Sequence, residues 1–168
     1  GTGAALLPAA AGDGAGVAVV DGPEAGERRV RVGRTIEAEI GRVRIDGPIE
    51  IEGATYTVAS VGNPHAVRMV DELAGFDVAG VGGRVGTDRS RFAAGTNVEF
   101  VSRTSPGSIE LRVWERGIGE TLACGTGMVA AAGVFRGDRD LETVEVTVPG
   151  GTGTVRFEPD SAWLAGPA

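Results

Sequence analysis

Apolar residues in this chain come in short runs of period two, and glycine, proline or aspartate closes most of them. Residues 17–20, 29–32, 36–40 and 43–45 are such runs, and Ile49, Ile51 and residues 56–60 continue the alternation. A run this short can bury one face as a strand, whereas an amphipathic helix needs a longer stretch phased at 3.6 residues. Residues 98–102 and 109–114 extend the series, with Ile109, Leu111 and Val113 on one face. Residues 144–148, the turn Pro149-Gly150-Gly151 and residues 154–157 read as a hairpin, followed by a last strand over 162–164. Helical signals are few. Residues 128–135 form the clearest helix, with Gly137 placed to end it. Residues 4–7 form a weaker helical stretch, and 67–76 a strand followed by a helical turn. Residues 80–94, Gly-rich and polar, read as a loop. The predicted class is α+β, rich in strands and poor in helices.

Composition removes several chemistries. All sixteen basic residues are arginine, which excludes a Schiff-base or phosphate-loop lysine within these residues. One cysteine and one histidine cannot build the usual structural zinc site, and no internal disulfide can form. The lack of disulfides fits a reducing cytoplasm. A net charge of −7 argues against nucleic-acid binding, which needs clustered positive charge. No Gly-x-Ser-x-Gly elbow is present. No apolar run is long enough to span a bilayer and no basic-then-apolar leader is present in these residues, so the chain is expected to be soluble. The length suits one ordinary domain or two small ones, with a junction around residues 46–53.

Cys124 lies in Ala123-Cys124-Gly125-Thr126-Gly127-Met128, where small residues lead into an Ala-rich helix. At a helix start the macrodipole should lower the thiol pKa, and the amides of Gly125, Thr126 and Gly127 could hold a carboxylate. A lone cysteine is also commonly a small buried hydrophobe. Glu115-Arg116-Gly117-Ile118-Gly119-Glu120-Thr121 sets two carboxylates and a guanidinium within nine residues of the thiol. There a carboxylate can take the thiol proton and arginine can pair with a substrate carboxylate, although a solvated charged turn has the same composition. His65, in Gly62-Asn63-Pro64-His65, reads as a general base or as a surface turn residue. Asn97, in Gly95-Thr96-Asn97-Val98, has the same ambiguity.

Together these segments resemble the diaminopimelate epimerase family. The resemblance runs in order through Gly62-Asn63-Pro64-His65-Ala66-Val67, residues 92–100, the stretch from Glu115 through Cys124 to Gly127, Pro149-Gly150-Gly151 and Gly166-Pro167-Ala168, about residues 58–168. It implies two similar α+β domains, each a curled, mostly antiparallel sheet around a central helix, with the active site between them. It also implies interconversion of LL- and meso-diaminopimelate, a step toward lysine and peptidoglycan precursors, with no cofactor and no metal. One cysteine of each domain would act, one as thiolate and the other as thiol. By motif position Cys124 is the second of these. Glu115 would help set its protonation and bind the substrate amino group, and His65 would support proton transfer at the first cysteine. Asn63, Asn97 and Arg116 would hold the distal end, and the Gly125 and Thr126 amides the α-carboxylate. The only partner implied is the small-molecule substrate; nucleic acid and membrane are not, and a homodimer is left open.

The chain departs from the family pattern in lacking the first Cys-Gly-Asn-Gly. Gly1-Thr2-Gly3-Ala4 echoes Gly125-Thr126-Gly127-Met128, as expected if the chain starts just after the first cysteine and carries a partial second copy. Residues 1–48 are then expected to be a remnant of an N-terminal domain and 49–168 the C-terminal domain carrying Cys124. Ala93 replaces a proline that is common in the family. A non-catalytic amino-acid-binding domain and a racemase of another amino acid on the same fold are the alternative readings.

Overall fold

The structure is a computed structural model that describes residues 16–22 and 26–167. The alternating runs become strands: β1 (Gly16–Gly22), β2 (Gly26–Val32), β3 (Thr35–Gly41), β4 (Arg44–Ile51), β5 (Ala54–Ser60) and β6 (Pro64–Met69). A helix, α1 (Val78–Gly86), precedes β7 (Asn97–Ser105), β8 (Ser108–Glu115) and the three-residue β9 (Gly119–Thr121). The second helix, α2 (Gly125–Arg136), leads into β10 (Thr143–Val148), β11 (Gly151–Phe157) and β12 (Ala162–Pro167). The fold is mixed α+β. One large sheet runs β1-β2-β3-β12-β11-β10-β8-β7-β6-β5-β4, with β9 paired to β8. Its neighbours are antiparallel except β6–β7 and β8–β10. Parallel neighbours need a crossover, and α1 and α2 lie in those two crossovers.

Alternation sends the helices to opposite faces. Val67, Val101, Ile109 and Leu111 pack with α2, whereas Ala66, Val98, Phe100 and Trp114 pack with the α1 side. Helix α2 touches strands from β3 through β12 to β5, which requires a sheet curved around it. Its residues 127–133 are all buried, so α2 is the apolar axle of this part of the chain.

Residues 80–94, expected as one loop, begin inside α1. Asp77 caps that helix by accepting from the Gly80 amide at 3.0 Å, and Val78 and Val85 are buried on one face. The glycines that suggested a loop are points of close approach. A Cβ on Gly82 would lie 2.5 Å from Trp114 Cβ. Residues 117–127 hold β9 and the first turn of α2, and β4 runs unbroken across residues 48–49. Pro48 is tolerated there because β4 is an edge strand, with a register shift between Ile45 and Gly47. The helical stretch at residues 4–7 and the proposed echo at residues 1–4 lie outside the described residues. No helix among the described residues is long and apolar enough to cross a membrane.

Candidate active site

Four element ends meet at one edge of the curled sheet. Parallel β6 and β7 both start there, with His65 opposite Asn97; β8 ends there and α2 begins there. The turn Gly62-Asn63-Pro64, the 95–97 turn, Glu115-Arg116 and Cys124-Gly125-Thr126 are thereby brought together.

Cys124 is the N-cap residue of α2, extended at φ −142° and ψ 112°, and half-buried. Its carbonyl accepts the first intrahelical bond, from Met128 N at 2.8 Å. The amides of Gly125, Thr126 and Gly127 precede that bond and face the open end of the helix. Gly150 of the β10–β11 turn supports this loop by donating its N–H to Leu122 O at 2.9 Å. A Cβ on Gly150 would sit 3.1 Å from that oxygen, so glycine admits the contact. The same turn and Ala123 line an open hollow of about 230 Å³ beside the cysteine.

A hydrogen-bonded chain leads inward from the thiol. Cys124 Sγ is 3.5 Å from Thr126 Oγ1, which accepts from Asn63 Nδ2 at 3.2 Å. Asn63 Oδ1 is 3.0 Å from His65 Nε2, and His65 Nδ1 is 2.7 Å from Glu99 Oε1. His65 and Glu99 are both fully buried. A second set braces the strand ends. Asn97 donates from Nδ2 to Pro64 O at 3.2 Å and accepts on Oδ1 from the Arg116 amide at 2.8 Å. The Arg116 guanidinium is exposed and reaches Ala94 O at 3.2 Å. Glu115 accepts from the Thr121 hydroxyl across β8 and β9. Glu120 points elsewhere, paired with Arg112 at 2.6 Å.

The thiol differs from the sequence expectation. Burial pushes the Cys124 pKa up and the Glu115 carboxylate adds to it, while the Thr126 hydroxyl and the Gly127 amide oppose it. A helix N-terminus favours the thiolate, but burial of the sulfur works against it here. Among the described residues, no group of three or more His, Cys, Asp or Glu side chains could hold a metal ion.

Residues 57–168 match the family model for diaminopimelate epimerase. The chain belongs to the diaminopimelate epimerase family. Diaminopimelate epimerase of Thioalkalivibrio sulfidiphilus (strain HL-EbGR7) is 45% identical over 128 residues, and that of Teredinibacter turnerae (strain ATCC 39867 / T7901) is 41% identical over 127. Each match covers 72% of this chain and 45% of the relative, so the chain spans under half the length of these curated relatives. Two solved structures share the fold at low identity. The hydroxyproline epimerase of Agrobacterium vitis aligns with a TM-score of 0.71 at 15% identity, over 93% of this chain and 57% of that one. A Bacillus anthracis phenazine biosynthesis protein aligns with a TM-score of 0.62 at 11% identity, over 90% of this chain and 65% of that one.

In this member of the diaminopimelate epimerase family, eight of the residues singled out in the sequence gather at one site, and Glu120 does not. Cys124, Gly125 and Thr126 sit at the start of α2. Asn63 and His65 join them through hydrogen bonds, and Asn97 and Arg116 adjoin through Pro64. Glu115 lies close enough to act on the thiol electrostatically. The sequence reading missed Glu99 and the hydroxyl of Thr126. The signal for Glu99 was a carboxylate at an inward position of a strand that is buried on both faces from Asn97 to Ser102.

Proposed function

We propose that this chain forms the Cys124 side of an active site that inverts the α-carbon of diaminopimelate without a cofactor. The observation that carries this reading is the placement of Cys124 at the mouth of α2, beside the Gly125 and Thr126 amides and joined to His65 through Thr126 and Asn63. The Gly125 and Thr126 amides, at the positive end of α2, suit the α-carboxylate. That contact withdraws charge as the α-carbon becomes a carbanion. In one direction Cys124, as a thiol, delivers its proton to one face of the α-carbon; in the reverse direction its thiolate takes that proton back. Glu115 sets this protonation and faces the substrate amino group, and the exposed Arg116 guanidinium reaches toward the distal end beside Asn63 and Asn97. Inversion needs a second acid–base group on the opposite face. These 168 residues hold one cysteine, so the two-cysteine reaction requires a counterpart from outside them, and the chain alone is inactive in full epimerisation.

The test is solvent-deuterium exchange at the α-carbon of diaminopimelate, followed by mass spectrometry. Slow exchange that Cys124→Ala abolishes is the expected result. Rapid two-way epimerisation by this chain alone would refute the two-cysteine reading, and exchange that survives Cys124→Ala would refute the role of Cys124. A second reading, a non-catalytic amino-acid-binding domain, is favoured by the single cysteine of these residues, since inversion needs two acid–base groups. Calorimetry separates the two readings: a binder holds diaminopimelate equally after Cys124→Ala and shows no exchange in either form.

A further inference from the structure

Glu99 is wholly buried, yet only one of its carboxyl oxygens has a partner. Oε1 lies 2.7 Å from His65 Nδ1, while Oε2 has none. An ionised carboxylate is costly to bury with one oxygen bare, whereas a carboxylic acid leaves only a carbonyl oxygen unpaired. Burial, joined by the charge of Glu115, pushes this carboxyl above its ordinary range, although His65 pulls the other way.

The far side of the imidazole decides where the protons sit. His65 Nε2 faces Asn63 Oδ1 at 3.0 Å, and an amide oxygen only accepts. Nε2 therefore carries hydrogen, and in a neutral ring Nδ1 is then an acceptor that needs a donor. The donor it faces is the acid form of Glu99. Asn63, fixed in this sense, donates from Nδ2 to Thr126 Oγ1. That hydroxyl, having accepted, has its own hydrogen to give, and the Cys124 sulfur is 3.5 Å away.

We propose that Glu99 is a positioning residue that donates a carboxyl hydrogen to His65 Nδ1 and thereby directs the Thr126 hydroxyl hydrogen onto the Cys124 sulfur. His65 and Asn63 carry the orientation between them, with no net proton movement. Gly127, in the first turn of α2, makes the room: a Cβ there would lie 2.9 Å from Glu99 Oε1. The ionisable groups acting on this cluster are His65 from β6, Glu115 from β8 and Cys124 from the start of α2. The catalytic meaning of the arrangement rests on the proton-transfer reading of Cys124 above.

The chain holds one histidine and one cysteine, so the imidazole and the thiol of the relay can each be read without assignment. ¹⁵N NMR of histidine-labelled chain at neutral pH is expected to show His65 protonated on Nε2 and bare on Nδ1. In Glu99→Gln the side-chain amide donates in place of the acid, so the same tautomer is expected. In Glu99→Met the tautomer is released, and iodoacetamide alkylation of Cys124 at pH 8 slows by about threefold or more. A wild-type ring bare on Nε2, or doubly protonated, overturns the proposal. So does a Glu99→Met chain with unchanged ¹⁵N shifts and alkylation. Should Glu99→Met not fold, the wild-type and Glu99→Gln tautomers decide alone. None of these measurements uses substrate, so absent α-proton exchange with the tautomer intact would defeat the proposed function and leave this inference standing.

Discussion

The indole of Trp114 occupies the space where a side chain on Gly86 would begin: a Cβ built there lies 2.1 Å from ring carbon Cζ3 and 2.9 Å from Thr96 O. Helix α1 therefore packs on β8 with its glycines against the tryptophan, and the contact fixes the 95–97 turn that carries Asn97. Gly86→Ala must shift helix, indole or turn, and overpacking of this kind costs about 1–3 kcal/mol. The expected result is a lower denaturant midpoint with an unchanged slope. An unchanged midpoint would show that α1 relaxes freely away from β8.

Thr126→Val replaces the hydroxyl by a methyl of similar size and removes the donor nearest the Cys124 sulfur. Because that hydroxyl favours the thiolate, its loss should raise the thiol pKa further. The pH profile of alkylation should move to higher pH, with the circular dichroism spectrum preserved. A profile unmoved from wild type would mean that the sulfur and the hydroxyl do not interact.

Glu115→Gln acts in the opposite sense. Burial is the main cause of the raised thiol pKa, and the Glu115 carboxylate adds like-charge repulsion to it. Neutralising Glu115 should let the thiol ionise at lower pH, so alkylation near pH 8 becomes faster while the α-proton exchange proposed for this site falls. Faster alkylation with undiminished exchange would remove Glu115 from the chemistry and leave it an electrostatic neighbour.

Much of the fold was legible because period-two alternation is a local signal. The hairpin around Pro149-Gly150-Gly151 and the helix ending at Gly137 stand where the sequence puts them. Helix α1 was not legible, since Gly82 and Gly86 look like loop residues until Trp114, far along the chain, is known to press on them. The site divides in the same way. Cys124 and its lead-in are contiguous, so their place together at a helix start could be read directly. The relay from Glu99 to Thr126 joins residues whose adjacency is created by the parallel pairing of β6 and β7 and by the crossover through α2. The depression expected of the thiol pKa failed for a related reason. A helix end is visible in sequence, whereas burial and the positions of Glu99 and Glu115 are not.

Glu39 on β3 and Arg29 on β2 form a two-pronged pair, Nε to Oε2 and Nη2 to Oε1, both at 2.7 Å. The hydrogen bond from Arg29 is the largest cause holding the Glu39 carboxyl down, lowering its pKa from 4.5 to about 2, with burial opposing. A carboxyl depressed on folding contributes stability that is fully present above its unfolded pKa and is lost as pH falls through the folded one. The window is therefore from about 4.5 down to about 2. Arg29 is largely exposed, so the contribution is small and screened by salt. The expected outcome is a constant difference in Tm between wild type and Arg29→Ala above pH 5, shrinking toward zero as pH drops through that window. The difference should also be smaller at high salt. If it persists undiminished at the acid end, the pair stabilises by packing of the Arg29 stem against Trp163, over whose ring its guanidinium lies at 5.5 Å, rather than by charge.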